Sequence, residues 1–474
     1  MDAQVRAGLT CLRRCGKLRV MRRVLALALA APLAAAVAAA PRAQPSLAQS
    51  VVASGRALEY VCGLTAIGPR VTGTATYQRA AEWTAAQLRA AGVDRVAFEP
   101  FTIADGWERE RVSAQIVAPV ARTLHGAALG WTPSTPAGGL EADVIAVSEL
   151  APEKIAALRS LAGRIVLLPA GDVGGNPATL TKRRRDLDVA LRDAGARAIL
   201  SPDTDRGNAL AARDRTFGAT LAALPAAQIG REDADVIRRL LDRGPVRLAL
   251  DLRNRITPGP VTVNNVIGEI RGREHPDEWV IVGAHLDSWD FSAAAQDNAA
   301  GVAMVLEAAR TIAAMEERPR RSIRFALWGG EEQGQLGSGA YVSAHAAELD
   351  GFIAILNADA GTGRQIGWTS PGRLDVIDAV RPLVGPSLAP IGGVTFDSSM
   401  RYAYQSDGAP FIHAGIPLLD LNADDAKYED IHHKDTDTFE RVDAQNLAIG
   451  AAIMAATAVA IADAPVRIAD RVKK

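Results

Sequence analysis

The residues of this chain best able to do chemistry are two adjacent carboxylates, Glu331-Glu332, which follow a strand-like run over 323–328. Upstream lie His285-Leu286-Asp287 and, twelve residues beyond the histidine, Asp297-Asn298. Downstream lie Asp359, at the end of another apolar run, and the pair His432-His433. Imidazole and carboxylate are both zinc ligands, and a catalytic zinc keeps one position open for water or substrate. Two histidines, two aspartates and a glutamate suffice for two zinc ions. At a separation of about 3.5–4 Å, such a pair clamps both the attacking and the developing oxygens. Dications that close repel unless an anion lies between them. Asp297 is the candidate bridge, with Glu332 and Asp359 as terminal ligands, one per metal.

The neighbours suit supporting roles. Asp287 lies two residues after His285, on the same side if the strand over 280–284 continues through it. From there it can accept the second ring proton of His285 and fix the metal-binding tautomer. Glu331 is left as general base, since adjacent side chains point differently and only one reaches a given metal. Each piece alone has a plain reading: a Glu-Glu pair is a solvated helix start, and adjacent histidines are surface residues. His125, His275, His345 and His413 have no such context and read as structural or solvated. What joins the chosen carboxylates is that they follow strand-like segments, at 279–284, 323–328 and 352–356. Sites in open α/β sheets form outside the carboxyl ends of strands. The reading is a hydrolase.

The order His285-x-Asp287, Asp297-Asn298, Glu331-Glu332, Asp359, His433 resembles the co-catalytic di-zinc aminopeptidase and glutamate carboxypeptidase family. Gly283-Ala284-His285-Leu286-Asp287-Ser288-Trp289-Asp290 and Trp328-Gly329-Gly330-Glu331-Glu332-Gln333-Gly334 look most like its carboxypeptidase Q branch. So do Asp359-Ala360-Gly361, the tail His432-His433 with Asp437-Thr438, and Ile67-Gly68-Pro69-Arg70-Val71-Thr72-Gly73. The likeness covers about residues 50–115 and 258–462. It implies one zinc on His285, Asp297 and Asp359, a second on Asp297, Glu332 and His433, and Glu331 as base. After the histidines, Lys434-Asp435-Thr436-Asp437-Thr438 offers two Asp-Thr registers, and the spacing from His433 to Asp437 is the one that matches.

The elements that must position these residues alternate between strands and helices. That pattern argues an α/β fold with a layered sheet, and the resemblance implies its zinc-exopeptidase-like form with an inserted domain. After Pro258-Gly259-Pro260 the pattern runs strand, helix over 298–315, strand, Glu-Glu loop, strand over 352–358, a strand over 416–421 and an apolar helix over 444–462. Between the family-like segments, short apolar strands at 164–168 and 197–200 and a helix over 231–241 resemble a protease-associated domain. Its expected role is to cover the cleft. The expected division is a leader at 1–43, peptidase segments at 44–115 and 257–474, and the insert at 116–256.

A chain of 474 residues with 48% hydrophobic and 23% charged residues is ordinary globular composition, long enough for two domains. A net charge of −1 without a basic stripe argues against nucleic acid. Met21-Arg22-Arg23 followed by an apolar run over 24–40, interrupted by Pro32, reads as an export signal, with translation starting at Met21 and cleavage between Ala38 and Ala48. The expected location is periplasmic or secreted, with no membrane contact after signal removal. Cys11 and Cys15 fall in that leader, leaving Cys62 as a lone core thiol. The expected partner is a short peptide, with a homodimer possible. The resemblance implies dipeptides with both termini free, or longer peptides if the chain acts as an aminopeptidase. Asp407 and Tyr404 are candidates to grip a terminus. A non-catalytic binding or receptor-like protein on the same scaffold would have lost ligands, and every ligand position here is filled.

Overall fold

Segments buried on both faces read as unbroken apolar runs, and three of these form the centre of the protein. In a computed structural model that describes residues 46–148, 150–156, 161–171, 177–400, 405–424 and 428–470, fourteen strands join one mixed sheet. The expected leader lies outside the described residues. Along the chain the strands are β1 (Arg95–Ala118), β2 (Arg122–Thr123), β3 (Gly126–Ala128), β4 (Leu140–Ala146), β5 (Ile165–Leu167), β6 (Ala198–Pro202) and β7 (Ala226–Ile229). There follow β8 (Arg247–Ile270), β9 (His275–His285), β10 (Arg321–Trp328), β11 (Phe352–Asn357), β12 (Gln365–Thr369), β13 (Thr395–Asp397) and β14 (Leu418–Ala423). The order across the sheet is β13-β12-β14-β11-β9-β10-β8-β4-β5-β6-β7-β3.

All residues of β10 and β11 are buried, as is β9 from Trp279 onward. β9 runs parallel to both, and β11 parallel to β14. Helices sandwich this sheet, as parallel pairing requires. Ala300–Ala313 connects β9 to β10 and packs against Ala444–Ala462. The latter starts at Asp443, whose side chain accepts from Asn446 N at 2.8 Å. It is long and apolar enough to cross a membrane, but 67% of its most apolar 18-residue stretch is buried inside the protein, as in a core helix. The helix Ala75–Ala91 is capped by the Thr74 side chain and ends at Gly92, whose φ of 86° a side chain would strain.

Sequence periodicity does not show the long ribbon of β1 and β8, antiparallel from Arg95↔Glu269 to Ala118↔Arg247. Polar and apolar residues mix irregularly along it, because register shifts interrupt the alternation at three places. One end of β8 pairs with β10 and the other with β4, so a single strand carries both the peptidase-like strands and the parallel set β4–β7. Cys62 is buried in the helix Ala57–Ile67, as expected; Cys11 and Cys15 lie outside the described residues. The helix expected over 298–315 begins at Ala300, because Asp297 and Asn298 have non-helical backbone angles.

Candidate metal centre

Strand register decides which loops meet. His285 ends β9 opposite Trp328 of β10, and Gly283 lies opposite Asn357 of β11. The chain therefore leaves all three strands at one edge. Glu331 and Glu332 follow β10 there, Asp359 follows β11, and the histidine pair enters from beyond β14. His285 Nε2 is 3.2 Å from Asp297 Oδ1 and 3.3 Å from Asp359 Oδ1. His433 Nε2 is 2.9 Å from Glu332 Oε2 and 3.5 Å from Asp297 Oδ2. The five residues expected to hold metal come together, with one Asp297 oxygen facing each group.

His432 comes near as well, its Nε2 3.8 Å from Asp297 Oδ2, and the ligand atoms of Asp297, His432 and His433 lie within 4.8 Å of one another. The contact with Glu332, however, is made by His433. His432 stacks on Tyr428 at 5.1 Å between centroids and is the more exposed of the two, at 40% against 24%.

Burial governs the charges. It pushes the carboxyls of Glu331 and Glu332 well above the usual range, with repulsion from Asp359 at both and from Asp297 at Glu332 adding to it. Burial also disfavours a charged His285, but Asp359 and Asp297 outweigh it and raise the imidazole well above its ordinary value. Asp297 is held below the usual carboxylate range despite burial, by the hydrogen bond from His285 and by the charges of all three histidines. Four carboxylates crowd two or three imidazoles, an excess of negative charge that a bound dication offsets. Glu332 Oε1 is buried without a hydrogen-bond partner among the described residues. The ligand atoms of His285, Asp297 and Asp359 also lie within 4.8 Å of one another. Imidazole nitrogens and carboxylate oxygens converging in this way fit zinc.

Supporting residues differ in part from the expectation. His285 Nδ1 lies 3.2 Å from the main-chain oxygen of Asp287 and 3.8 Å from its carboxylate, too far for the expected carboxylate bond. The Asp287 carboxylate turns elsewhere. It accepts from Thr72 Oγ1 at 2.9 Å and from the main-chain nitrogens of Glu331 and Glu332 at 3.2 and 3.3 Å, so it holds the Glu-Glu loop. Asp437 does the same for Asp297, accepting from Gln296 N at 2.8 Å and Asp297 N at 3.0 Å. It is buried while Asp435 is exposed, which separates the two Asp-Thr registers. Asn298 bridges Ala358 O and Gly301 N. A methyl group at Gly301 would meet Ala358 O at 2.3 Å, so glycine is what lets the helix approach Asp359. Asp407 is fully buried and accepts from Ser338 Oγ at 2.5 Å, which removes it as a grip for a substrate terminus. Tyr404 lies outside the described residues.

The segment between β1 and β8 closes over this edge. Ala212 N donates to His433 O at 2.7 Å and Gly218 N to Gln333 O at 2.8 Å. Trp107, Trp131, Trp289 and His433 pack ring to ring in sequence, with centroids 5.8, 6.2 and 6.2 Å apart. On one side of the histidine pair is a cavity of about 310 Å³, bounded by Phe217, Glu331, Asp359, Asp420 and Tyr428. On the other is one of about 340 Å³, bounded by Arg184, Arg213 and Lys434.

Residues 265–458 match peptidase family M28. The chain is 31% identical to carboxypeptidase Q of Rattus norvegicus over 241 residues, 51% of this chain and 50% of that protein; it spans about half the length of the curated relatives it matches. The peptidase M28 precursor of Shewanella amazonensis is 30% identical and superposes with a TM-score of 0.76 over 90% of this chain and 98% of that one. BSAP, a zinc aminopeptidase from Bacillus subtilis, superposes with a TM-score of 0.69 over 91% of this chain and 100% of its own at 23% identity, a likeness of fold.

Proposed function

This chain belongs to peptidase family M28, and from that premise we propose that it is a zinc-dependent exopeptidase acting on dipeptides or other short peptides. The observation that carries the reading is Asp297, whose two oxygens face separate groups of donors. His285, Asp297 and Asp359 would hold one ion, and Asp297, Glu332 and His433 the other. Zinc bound there supplies Lewis acidity, polarising the scissile carbonyl and lowering the pKa of water, and its charge favours the ionised form of Glu331.

Glu331 lines the cleft and takes no part in the short contacts that join His285 to Asp297 and Asp359, or His433 to Glu332 and Asp297. Gln335 Nε2 orients its carboxylate through Oε1 at 3.2 Å. Glu331 accepts the proton of the attacking water and passes it to the leaving amine nitrogen. Asp287 keeps both glutamates in register through their main-chain nitrogens. Phe217 and the loop around it narrow the cleft and limit access of bulk water.

Small cavity volume favours short substrates, since a folded protein cannot thread a covered cleft. Arg213 and Lys434, which border the cavity beyond the histidines, are already paired with Asp203 and Asp205, so the dipeptidase reading is favoured over the aminopeptidase one by the size of the cleft and by the likeness to carboxypeptidase Q. The test compares a dipeptide with its amino-blocked and carboxyl-amidated forms and with a pentapeptide. Loss of hydrolysis on blocking either end supports the dipeptidase; efficient stepwise release from the amino end of the pentapeptide supports an aminopeptidase.

A further inference from the structure

Arg70 touches no expected metal ligand, yet it sits within the arc of chain that joins two of them. Its side chain is fully buried. Nε donates to Leu286 O at 2.8 Å, Nη1 to Ala293 O at 3.0 Å and to Gly68 O at 3.5 Å, and Nη2 to Ala294 O at 3.0 Å. Its main chain is also fixed: Arg70 N donates to Ser288 Oγ at 2.9 Å, and Arg70 O accepts from Ser288 N at 3.2 Å. Leu286 follows His285 directly, and Ala294 precedes Asp297 by three residues. The planar fork therefore pins both ends of the connection between His285 and Asp297.

Ala294 has a φ of 48°, a left-handed conformation that disfavours an alanine. Three bonds hold it: its nitrogen donates to Ser292 Oγ at 3.1 Å, and its carbonyl accepts from Ala299 N at 3.3 Å and from Arg70 Nη2 at 3.0 Å, the last being the one that ties it to the segment carrying His285. We propose that Arg70 is a positioning residue of the metal centre, setting the approach of Asp297 to His285 by gathering carbonyls from the two segments that carry them. This rests on the zinc reading above. Arginine suits the task because its five donors lie in one rigid plane, whereas a lysine presents a single ammonium on a flexible stem. Burial draws the guanidinium down to about 10, opposed by Asp437, Asp287, Asp297 and Glu332, so it is a cation throughout the neutral range.

Arg70→Ala would strand several buried carbonyls and is expected to unfold the protein, so Arg70→Lys is the informative variant. A control is Arg321→Lys. Arg321 is also buried, and it pairs with Glu278 and Ala464 O far from the centre. Cobalt(II) and zinc titrations of the metal-stripped full chain, read by the visible cobalt spectrum and by chelator competition, give the result independently of turnover. We expect Arg70→Lys to weaken metal binding at least tenfold, the range found for groups that orient ligands, and to alter the cobalt spectrum, with native far-ultraviolet circular dichroism. Arg321→Lys should lower thermal stability alone. If Arg70→Lys loses stability while keeping wild-type metal affinity and spectrum, Arg70 is only structural and the proposal is overturned. A wild-type chain that binds neither metal overturns the zinc reading and the proposal with it.

Discussion

Replacing Asp287 by Asn tests whether this residue acts through the Glu-Glu loop. The carboxylate is fully buried. Oδ1 accepts from Glu331 N, while Oδ2 accepts from Glu332 N and from Thr72 Oγ1. An asparagine has the same shape but must turn its NH2 toward one of those two main-chain amides. In one orientation it opposes Glu331 N. In the other it opposes Glu332 N, while the Thr72 hydroxyl can rotate to accept. Either way one buried N–H loses its acceptor, which costs about 1–3 kcal/mol. Against this, burial raises the Asp287 carboxyl above its usual range, so a neutral amide recovers part of the cost of burying charge. The net loss of stability at neutral pH should therefore fall near the lower end, about 1 kcal/mol. Function should suffer more, because the displaced amides belong to the proposed base and to a proposed ligand. A shift approaching 1 Å there should lower kcat about 10²-fold and weaken metal binding about tenfold. Urea unfolding, zinc content after dialysis and kcat on a dipeptide measure the three effects. A variant within about twofold of wild type in kcat, with both metals retained, would show that the Asp287 bonds to the loop do not matter to catalysis.

Glu331→Gln should keep both metals and lose about 10²–10⁴-fold in kcat, read by metal analysis beside steady-state kinetics; comparable activity would sink the assignment of the base. His433→Ala should lose a zinc and nearly all turnover, whereas His432→Ala should keep its metal content, and the reverse pattern would make His432 the ligand. His345 lies 3.0 Å from both Glu99 and Glu348, and the hydrogen bond to Glu99 is the main cause of its raised pKa. A raised folded-state pKa gives stability that is complete below the unfolded value of about 6.5 and is lost as pH rises through the folded value. His345→Gln should accordingly cost about 1 kcal/mol in unfolding free energy at pH 5.5 and distinctly less at pH 9, and a pH-independent difference would exclude this ion pair as its origin.

What the sequence reveals and what it hides follow from the kind of partner each residue has. The strands β9, β10 and β11 are legible because burial on both faces demands unbroken apolar runs, and the carboxylates just past their ends inherit a common edge. The cluster of imidazoles and carboxylates at that edge is legible because zinc, the metal proposed for it, accepts few side-chain types. The ribbon of β1 and β8 is not, since it is half exposed and bulged, and its pairings span more than a hundred residues of intervening chain.

The positioning residues were the hardest to read. The sequence points to Asp287, but with an imidazole as its expected partner; the structure gives its carboxylate a hydroxyl and two main-chain amides. Asp437 serves main-chain nitrogens, and Arg70 serves main-chain carbonyls. Every residue supplies such groups, so a side chain that binds backbone leaves no complementary residue type elsewhere in the sequence to betray it. A metal ligand has chemically matched companions, and a backbone-binding residue does not. One sign remains: a charged residue inside an apolar stretch, such as Arg70 before Val71, must find enough hydrogen bonds to offset its desolvation. Where no oppositely charged side chain is near in sequence, the loops around a site, whose carbonyls and amides are not used up by helices or strands, are the natural place for it to find them.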